Sequence, residues 1–357
     1  MRRSAVLIAL VLALIALAAA CSKEPAAPAA PPAPPQATIP AASLQAFAPL
    51  PDAVPGAQPA SDDLVNLGRW LYFEPRLSKN QKISCNTCHD LAKYGVDNEQ
   101  TSDGHKGQKG DRNSPTVYNA AAHFVQFWDG RAPDVEAQAK GPIMNPVEMA
   151  MPSEGRVLEV LESIPEYVEA FKKAFPGEKK PMTYDNMAKA IGAFERKLMT
   201  PSRWDAFLKG DQSALTNEQK LGFQTFVDSG CATCHSGALL GGTSYQRIGM
   251  AKPFPRATDP GRMKVTHAET DKAVFKVPSL RNIEKTGPYF HDGATATLDQ
   301  AIRDMAEFQL NRKLTDEQVK QITEFLNVLT GTIDPEYTKP PVLPKSTAKT
   351  PKPVDGD

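Results

Sequence analysis

The sequence predicts a mainly α fold made of two similar halves, with long loops between short helices. Three observations carry this expectation. Apolar residues recur at helical spacing in several segments, whereas the alternating pattern of strands is sparse. Capping-box patterns open three segments, at Thr216-Asn217-Glu218-Gln219, Thr297-Leu298-Asp299-Gln300 and Thr315-Asp316-Glu317-Gln318. The pentapeptide Cys-x-x-Cys-His occurs twice inside a longer repeat, as Cys85-Asn86-Thr87-Cys88-His89 and Cys231-Ala232-Thr233-Cys234-His235.

The chain has 357 residues, enough for two domains of ordinary size. Arg2 and Arg3 precede an apolar run from Ala5 to Ala20, which reads as an export signal over 1–20. Leu17-Ala18-Ala19-Ala20-Cys21 resembles a lipoprotein signal with Cys21 as the lipidated first residue. Ordinary cleavage after Ala18-Ala19-Ala20 is the alternative. Residues 21–61 are rich in Ala and Pro and predict a semi-rigid tether. One domain is expected over 62–205 and a second over 206–337. The Pro/Lys-rich tail, 338–357, is expected to be disordered. Net charge is zero with 23% charged residues, so no nucleic-acid partner is expected.

Asp63 to Tyr72 carries Leu64, Leu67 and Leu71 at helical spacing, and Tyr184 to Met199 carries Met187, Ile191, Phe194 and Leu198. The last helix shows Val319, Ile322, Leu326 and Leu329, with Gly331 placed to close it. The repeat runs through these elements. Leu67-Gly68 parallels Leu221-Gly222, and Pro115-Thr116-Val117-Tyr118-Asn119 parallels Pro278-Ser279-Leu280-Arg281-Asn282. Twelve residues after each Pro come Phe127-Trp128-Asp129-Gly130 and Phe290-His291-Asp292-Gly293. A duplicated domain is the reading.

Cys-x-x-Cys-His is the spacing of covalent c-type haem attachment. The two thiols reach the two vinyl groups of one porphyrin, and the adjacent His turns its ring onto the iron. Four of the five cysteines serve these motifs. Disulfides need no His after each second Cys. Zinc wants four ligands close together, and Cys85 and Cys231 are 146 positions apart. The halves therefore read as two cytochrome c-like haem domains, attached through Cys85, Cys88, Cys231 and Cys234 with His89 and His235 as proximal ligands.

The halves differ where the second axial ligand falls. Met250, Met263 and Met305 follow His235, and Met305 shares a helix face with Leu298 and Ile302. A core Met is the plain reading of such a face; within the duplication, ligation by Met305 is preferred. It would raise the potential of that haem. The repeat puts Pro142 where Met305 sits, and Pro cannot bind iron. The first haem is therefore expected to open to a small molecule, although Met144 and Met149 lie nearby. His105, in the loop Gly104-His105-Lys106-Gly107, reads either as an exposed loop residue or as a removable sixth ligand. Glu148 could move a proton of peroxide and Gln138 orient its oxygens. Taken alone, either reads as a surface residue, and Trp128 as a core aromatic. His123 reads as structural beside Phe124, and His291 as a contact to a haem propionate.

At these residues the chain resembles the bacterial di-haem cytochrome c peroxidases, over roughly Asp63 to Gly331. The resemblance includes Arg112-Asn113-Ser114-Pro115-Thr116-Val117, Gln126-Phe127-Trp128-Asp129-Gly130-Arg131, Gln138-Ala139-Lys140-Gly141-Pro142 and Val147-Glu148-Met149. Pro288-Tyr289-Phe290-His291-Asp292-Gly293 completes it. It implies reduction of hydrogen peroxide with electrons from a small c-type cytochrome or cupredoxin. It implies His89 and His105 on a peroxidatic haem, His105 leaving when the His235/Met305 haem is reduced. Glu148 and Gln138 would assist oxygen–oxygen cleavage, and Trp128 would lie on the electron path. Asn113 and the carbonyls of Thr286 and Pro288 match a calcium site, whose oxygen donors suit that hard ion. A homodimer in the periplasm is also implied. A plain di-haem electron carrier is the rival reading. Another is a related enzyme that oxidises tryptophans of a partner protein; it has Tyr where Met305 stands.

Overall fold

The structure, a computed structural model, describes residues 37–54 and 57–354. The expected export signal, Cys21 and the tether up to residue 36 lie outside the described residues. The first half is built on α1 (Asp62–Tyr72), α2 (Val135–Met144), α3 (Glu154–Glu162), α4 (Pro165–Ala174) and α5 (Tyr184–Glu195). The second half holds α6 (Arg203–Leu208), α7 (Asn217–Asp228), α8 (Leu298–Asp304) and α9 (Asp316–Val328). A short antiparallel pair, β1 (Tyr245–Arg247) with β2 (Val274–Lys276), supplies the sheet, Tyr245 opposite Lys276. The mainly α expectation holds. No helix among the described residues is long and apolar enough to cross a membrane.

The duplication is visible as two equivalent helix crossings. A Cβ on Gly68 of α1 would lie 1.8 Å from the Ala190 carbonyl oxygen of α5, and one on Gly222 of α7 would lie 2.0 Å from that of Gln321 on α9. Only glycine lets these backbones touch. The flanking leucines are not equivalent: Leu67 is buried, whereas Leu221 is exposed. Each half has its own core, around Tyr167, Phe171, Met187 and Ile191 in the first and Trp204, Phe223, Phe325 and Leu326 in the second. Asn119 and Asn282 both adopt left-handed backbone, at φ of 60° and 62°. Both donate to the Thr200 hydroxyl, at 2.8 and 2.9 Å, so the repeated motif meets itself at the junction of the halves.

Trp204 packs in the second core, and Asp205 pairs there with Arg281. Thr216 and Thr315 form reciprocal capping boxes; Thr297 caps α8 from its own side chain. Gly331 does not close α9. Leu329 caps it, and Gly331 instead gives room to Thr200, whose carbonyl oxygen would lie 2.1 Å from an added Cβ.

Two expectations are corrected. Residues 37–54 are not free tether. Ile39, Leu44 and Phe47 join the second core, and the Leu50 amide donates to Asp205 at 2.6 Å. The tail 338–357 is not disordered over its described part. It lies as a strap along the first half: Arg76 donates to the Pro344 carbonyl at 2.8 Å and Ser346 at 2.9 Å. Thr350 is buried and accepts from Ser163 at 2.9 Å, and the Val354 amide donates to the Lys79 carbonyl at 3.0 Å. Such a segment cannot build a core of its own, but its carbonyls satisfy donors already displayed by a folded surface.

Candidate haem sites

In the second half, Cys231, Cys234, His235 and Met305 line one cavity, walled by apolar side chains such as Phe226, Ile322 and Leu326. His235 Nδ1 lies 3.1 Å from the Leu240 carbonyl oxygen. A carbonyl only accepts, so Nδ1 carries the proton and Nε2 keeps its lone pair for a metal. Burial lowers the pKa of His235, which favours this neutral form. Met305 ends α8 and begins a π-helical stretch, Met305–Gln309. Such local widening is frequent at functional sites.

In the first half, His89 follows the helical turn Cys85–Cys88, whose capping box joins Ser84 and Thr87. The Tyr72 hydroxyl donates to the His89 carbonyl at 2.6 Å, and burial lowers the His89 pKa. Burial pushes the Cys85 thiol up to about 12 and the Cys88 thiol to about 11. The donors fit a haem in each half: paired thiols, a buried neutral imidazole and, in the second half, a thioether over an apolar space.

His105 is buried, not exposed. Its amide donates to the carbonyls of Val147 at 3.0 Å and Glu148 at 2.8 Å. Gly104 permits that approach, since a Cβ there would lie 1.9 Å from the Val147 oxygen. Glu148 accepts from Asn145 at 2.9 Å; burial raises its pKa, against the pull of Arg131 and this hydrogen bond. Gln138 and Pro142 both lie on α2, the counterpart of the helix that ends at Met305. Met144 and Met149 pack in the first core.

Trp128, Asn113, Thr286 and Pro288 also line the second cavity. Trp128 Nε1 donates to the Asn113 carbonyl at 2.9 Å, and its ring lies 6.4 Å from that of His291. Asn113 directs Nδ2 to the Glu99 carbonyl at 3.0 Å, which leaves its Oδ1 as an acceptor. Arg112 ties the halves together, donating to Asp129 of the first at 2.7 Å and, bidentately, to Asp259 of the second at 2.6 and 2.9 Å. His123, expected to be merely structural, lines this cavity and accepts from the buried Lys276. Sequence reading missed Lys276, because nothing in its neighbourhood marks it as buried.

Comparisons with known proteins agree with this arrangement. The family model for di-haem cytochrome c peroxidase matches residues 62–213, and that for cytochrome c matches 219–330. The chain is 48% identical to cytochrome c551 peroxidase of Nitrosomonas europaea, over 82% of this chain and 87% of that protein. It is 47% identical to cytochrome c551 peroxidase of Pseudomonas aeruginosa, over 87% and 90%. The crystal structure of a MauG-like protein associated with microbial copper homeostasis superposes with a TM-score of 0.73 at 25% identity, over 82% of this chain and 98% of that one. With two haem-attachment motifs in two matched domains, the chain belongs to the bacterial di-haem cytochrome c peroxidase family and is an oxidoreductase acting on peroxide.

Proposed function

We propose that hydrogen peroxide is reduced to two waters at the haem of the first half. The two electrons come from a small c-type cytochrome or cupredoxin by way of the haem of the second half. When bound, the haems supply electron storage and the iron at which the oxygen–oxygen bond is cleaved. The observation that carries the reading is the docking of the His105 amide on the carbonyls of Val147 and Glu148. For the His105 loop to swing away it would have to break its backbone bonds to the segment bearing Glu148, so opening of the site would be coupled to that segment. Burial raises the Glu148 pKa, which suits a group that accepts a proton from one peroxide oxygen and returns it to the other. Gln138 orients the oxygens through its amide.

His89 and His105 would hold the first iron, and His235 and Met305 the second. Trp128 lies on the electron path, held by its bond to Asn113. Asn113 Oδ1 and the carbonyls of Thr286 and Pro288 would hold calcium, oxygen donors that suit this hard ion. The enzyme works in the periplasm as a homodimer, tethered through lipidated Cys21. The test is peroxide-dependent oxidation of a reduced small cytochrome c, with calcium present. Fully oxidised enzyme is compared with enzyme pre-reduced by one electron. Turnover only after pre-reduction is expected. Turnover in both would remove the His105 gate, and turnover in neither, whatever the donor, would favour an electron carrier.

A further inference from the structure

Lys276 ends β2 and is 6% exposed. A lysine so enclosed is ordinarily paired with a carboxylate. Among the described residues its Nζ meets only His123 Nδ1 at 3.0 Å and the Val125 carbonyl oxygen at 3.2 Å. Two of its three protons are thereby used. His123 Nδ1 accepts from an ammonium, so that ring carries its proton on Nε2. That Nε2 is buried and has no partner among the described residues. Both side chains line the cavity that holds Cys234, His235 and Met305. The wall thus presents an uncompensated positive charge and two donors without acceptors.

The position is built from both halves. The Lys276 amide donates to the Trp128 carbonyl at 2.7 Å, and the Phe124 amide donates to the Gly242 carbonyl at 3.0 Å. Gly242 has φ +71°, and a Cβ there would lie 2.6 Å from His123 Cδ2. The imidazole is therefore clamped against a glycine of the second half. Two convergent donors beside a buried cation form a receptor for a carboxylate. A haem brings two carboxylates, its propionates, into this cavity.

We propose that Lys276 and His123 bind a propionate of the second haem, with Lys276 as its counter-ion. Lys276 thereby also holds that haem's potential up. A fixed positive charge favours the reduced iron, which carries one positive charge fewer. Both are positioning residues: they touch the cofactor's edge, not the reacting oxygens. The proposal rests on a haem in the second cavity and not on the His105 gate or on turnover.

The test is a spectroelectrochemical titration of each haem in the complete holoenzyme, with Lys276→Met, Lys276→Arg and His123→Gln. At the midpoint potential of the natural enzyme, Lys276→Met is expected to lower the reduced-to-oxidised ratio of the second haem by about tenfold. The first haem should be unmoved, and Lys276→Arg should keep most of the natural value. Redox difference infrared spectra should show a shifted propionate carboxylate band in Lys276→Met and, more weakly, in His123→Gln. An unchanged second-haem potential in a Lys276→Met enzyme of full haem content would overturn the proposal. So would equal shifts at both haems, or an unmoved carboxylate band. If Lys276→Met does not fold, Lys276→Arg and His123→Gln decide it through the same band.

Discussion

Replacing Arg281 by Met leaves a carboxylate stranded in the second half. Arg281 and Asp205 have side chains 1% and 5% exposed, joined by two bonds of 2.6 and 2.8 Å. Removing one partner of such a pair costs about 3–5 kcal/mol, because the remaining charge stays buried without compensation. Asp205 still accepts from the amides of Leu50 at 2.6 Å and Ser202 at 2.7 Å, which favours the lower end of that range. Met also abandons the Ala238 carbonyl, to which Arg281 donates at 2.6 and 2.9 Å. Ala238 lies two residues from Leu240, the carbonyl that orients His235.

The assay is urea unfolding of the holoenzyme followed by circular dichroism. With a slope of about 3 kcal/mol per molar urea, the midpoint of Arg281→Met should fall by about 1 M or more. Combining Arg281→Met with Asp205→Leu should recover much of the loss, since no charge is then left buried. Acid offers a further check. Burial pushes the Asp205 carboxyl up, but the hydrogen bonds and charge of Arg281 outweigh it and the net pKa is lowered. A lowered carboxyl pKa stabilises the fold above the unfolded value and is lost as pH falls through the folded one. The advantage of the natural pair over the double variant should fade below about pH 4. A loss under 1 kcal/mol in the single variant, or a double variant no better than the single, would refute the reasoning.

Further outcomes follow from other groups. Burial, with Glu136 nearby, pushes the Glu195 carboxyl up from 4.5 to about 8. A raised carboxyl pKa means stability is full below the unfolded value and is lost as pH climbs toward 8, by up to about 5 kcal/mol at about 1.4 kcal/mol per pH unit. Glu195→Gln should therefore flatten the melting temperature between pH 5 and 8.5; parallel curves for the two proteins would sink the idea. Deleting residues 340–357 removes the bonds from Arg76, Ser163 and Gln81 to the strap. At about 1 kcal/mol each this costs roughly 3 kcal/mol, and hydrogen exchange should quicken first around 74–83. Glu148→Gln should lower kcat about 10²- to 10⁴-fold with KM little changed; steady-state rates against peroxide measure this, and an unchanged kcat would remove Glu148 from the chemistry.

Much of the molecule was legible because its signals are local. Cys-x-x-Cys-His needs only five consecutive residues, and the duplication aligns Pro142 with Met305 by simple counting. The glycines at 68 and 222 were visible as a pair, although their purpose as contact points between helices was not. His105 stood out by its loop, whose composition fitted an exposed residue as well as a removable ligand. The structure buries it, because Gly104 lets the backbone press onto Val147.

The sequence by itself determined the helical class and the two Cys-x-x-Cys-His motifs. Each of these follows from spacing within one segment, where covalent geometry and helix periodicity leave few alternatives. Tertiary structure alone decided that the Pro-rich tail is a strap and that residues 37–54 complete the second core. It also decided that Thr200 joins the two repeated asparagines and that Lys276 lies buried against His123. These contacts join residues far apart in the chain, and their energy depends on what already surrounds them. A donor on Arg76 or a charge on Lys276 has no recognisable partner until the fold brings one.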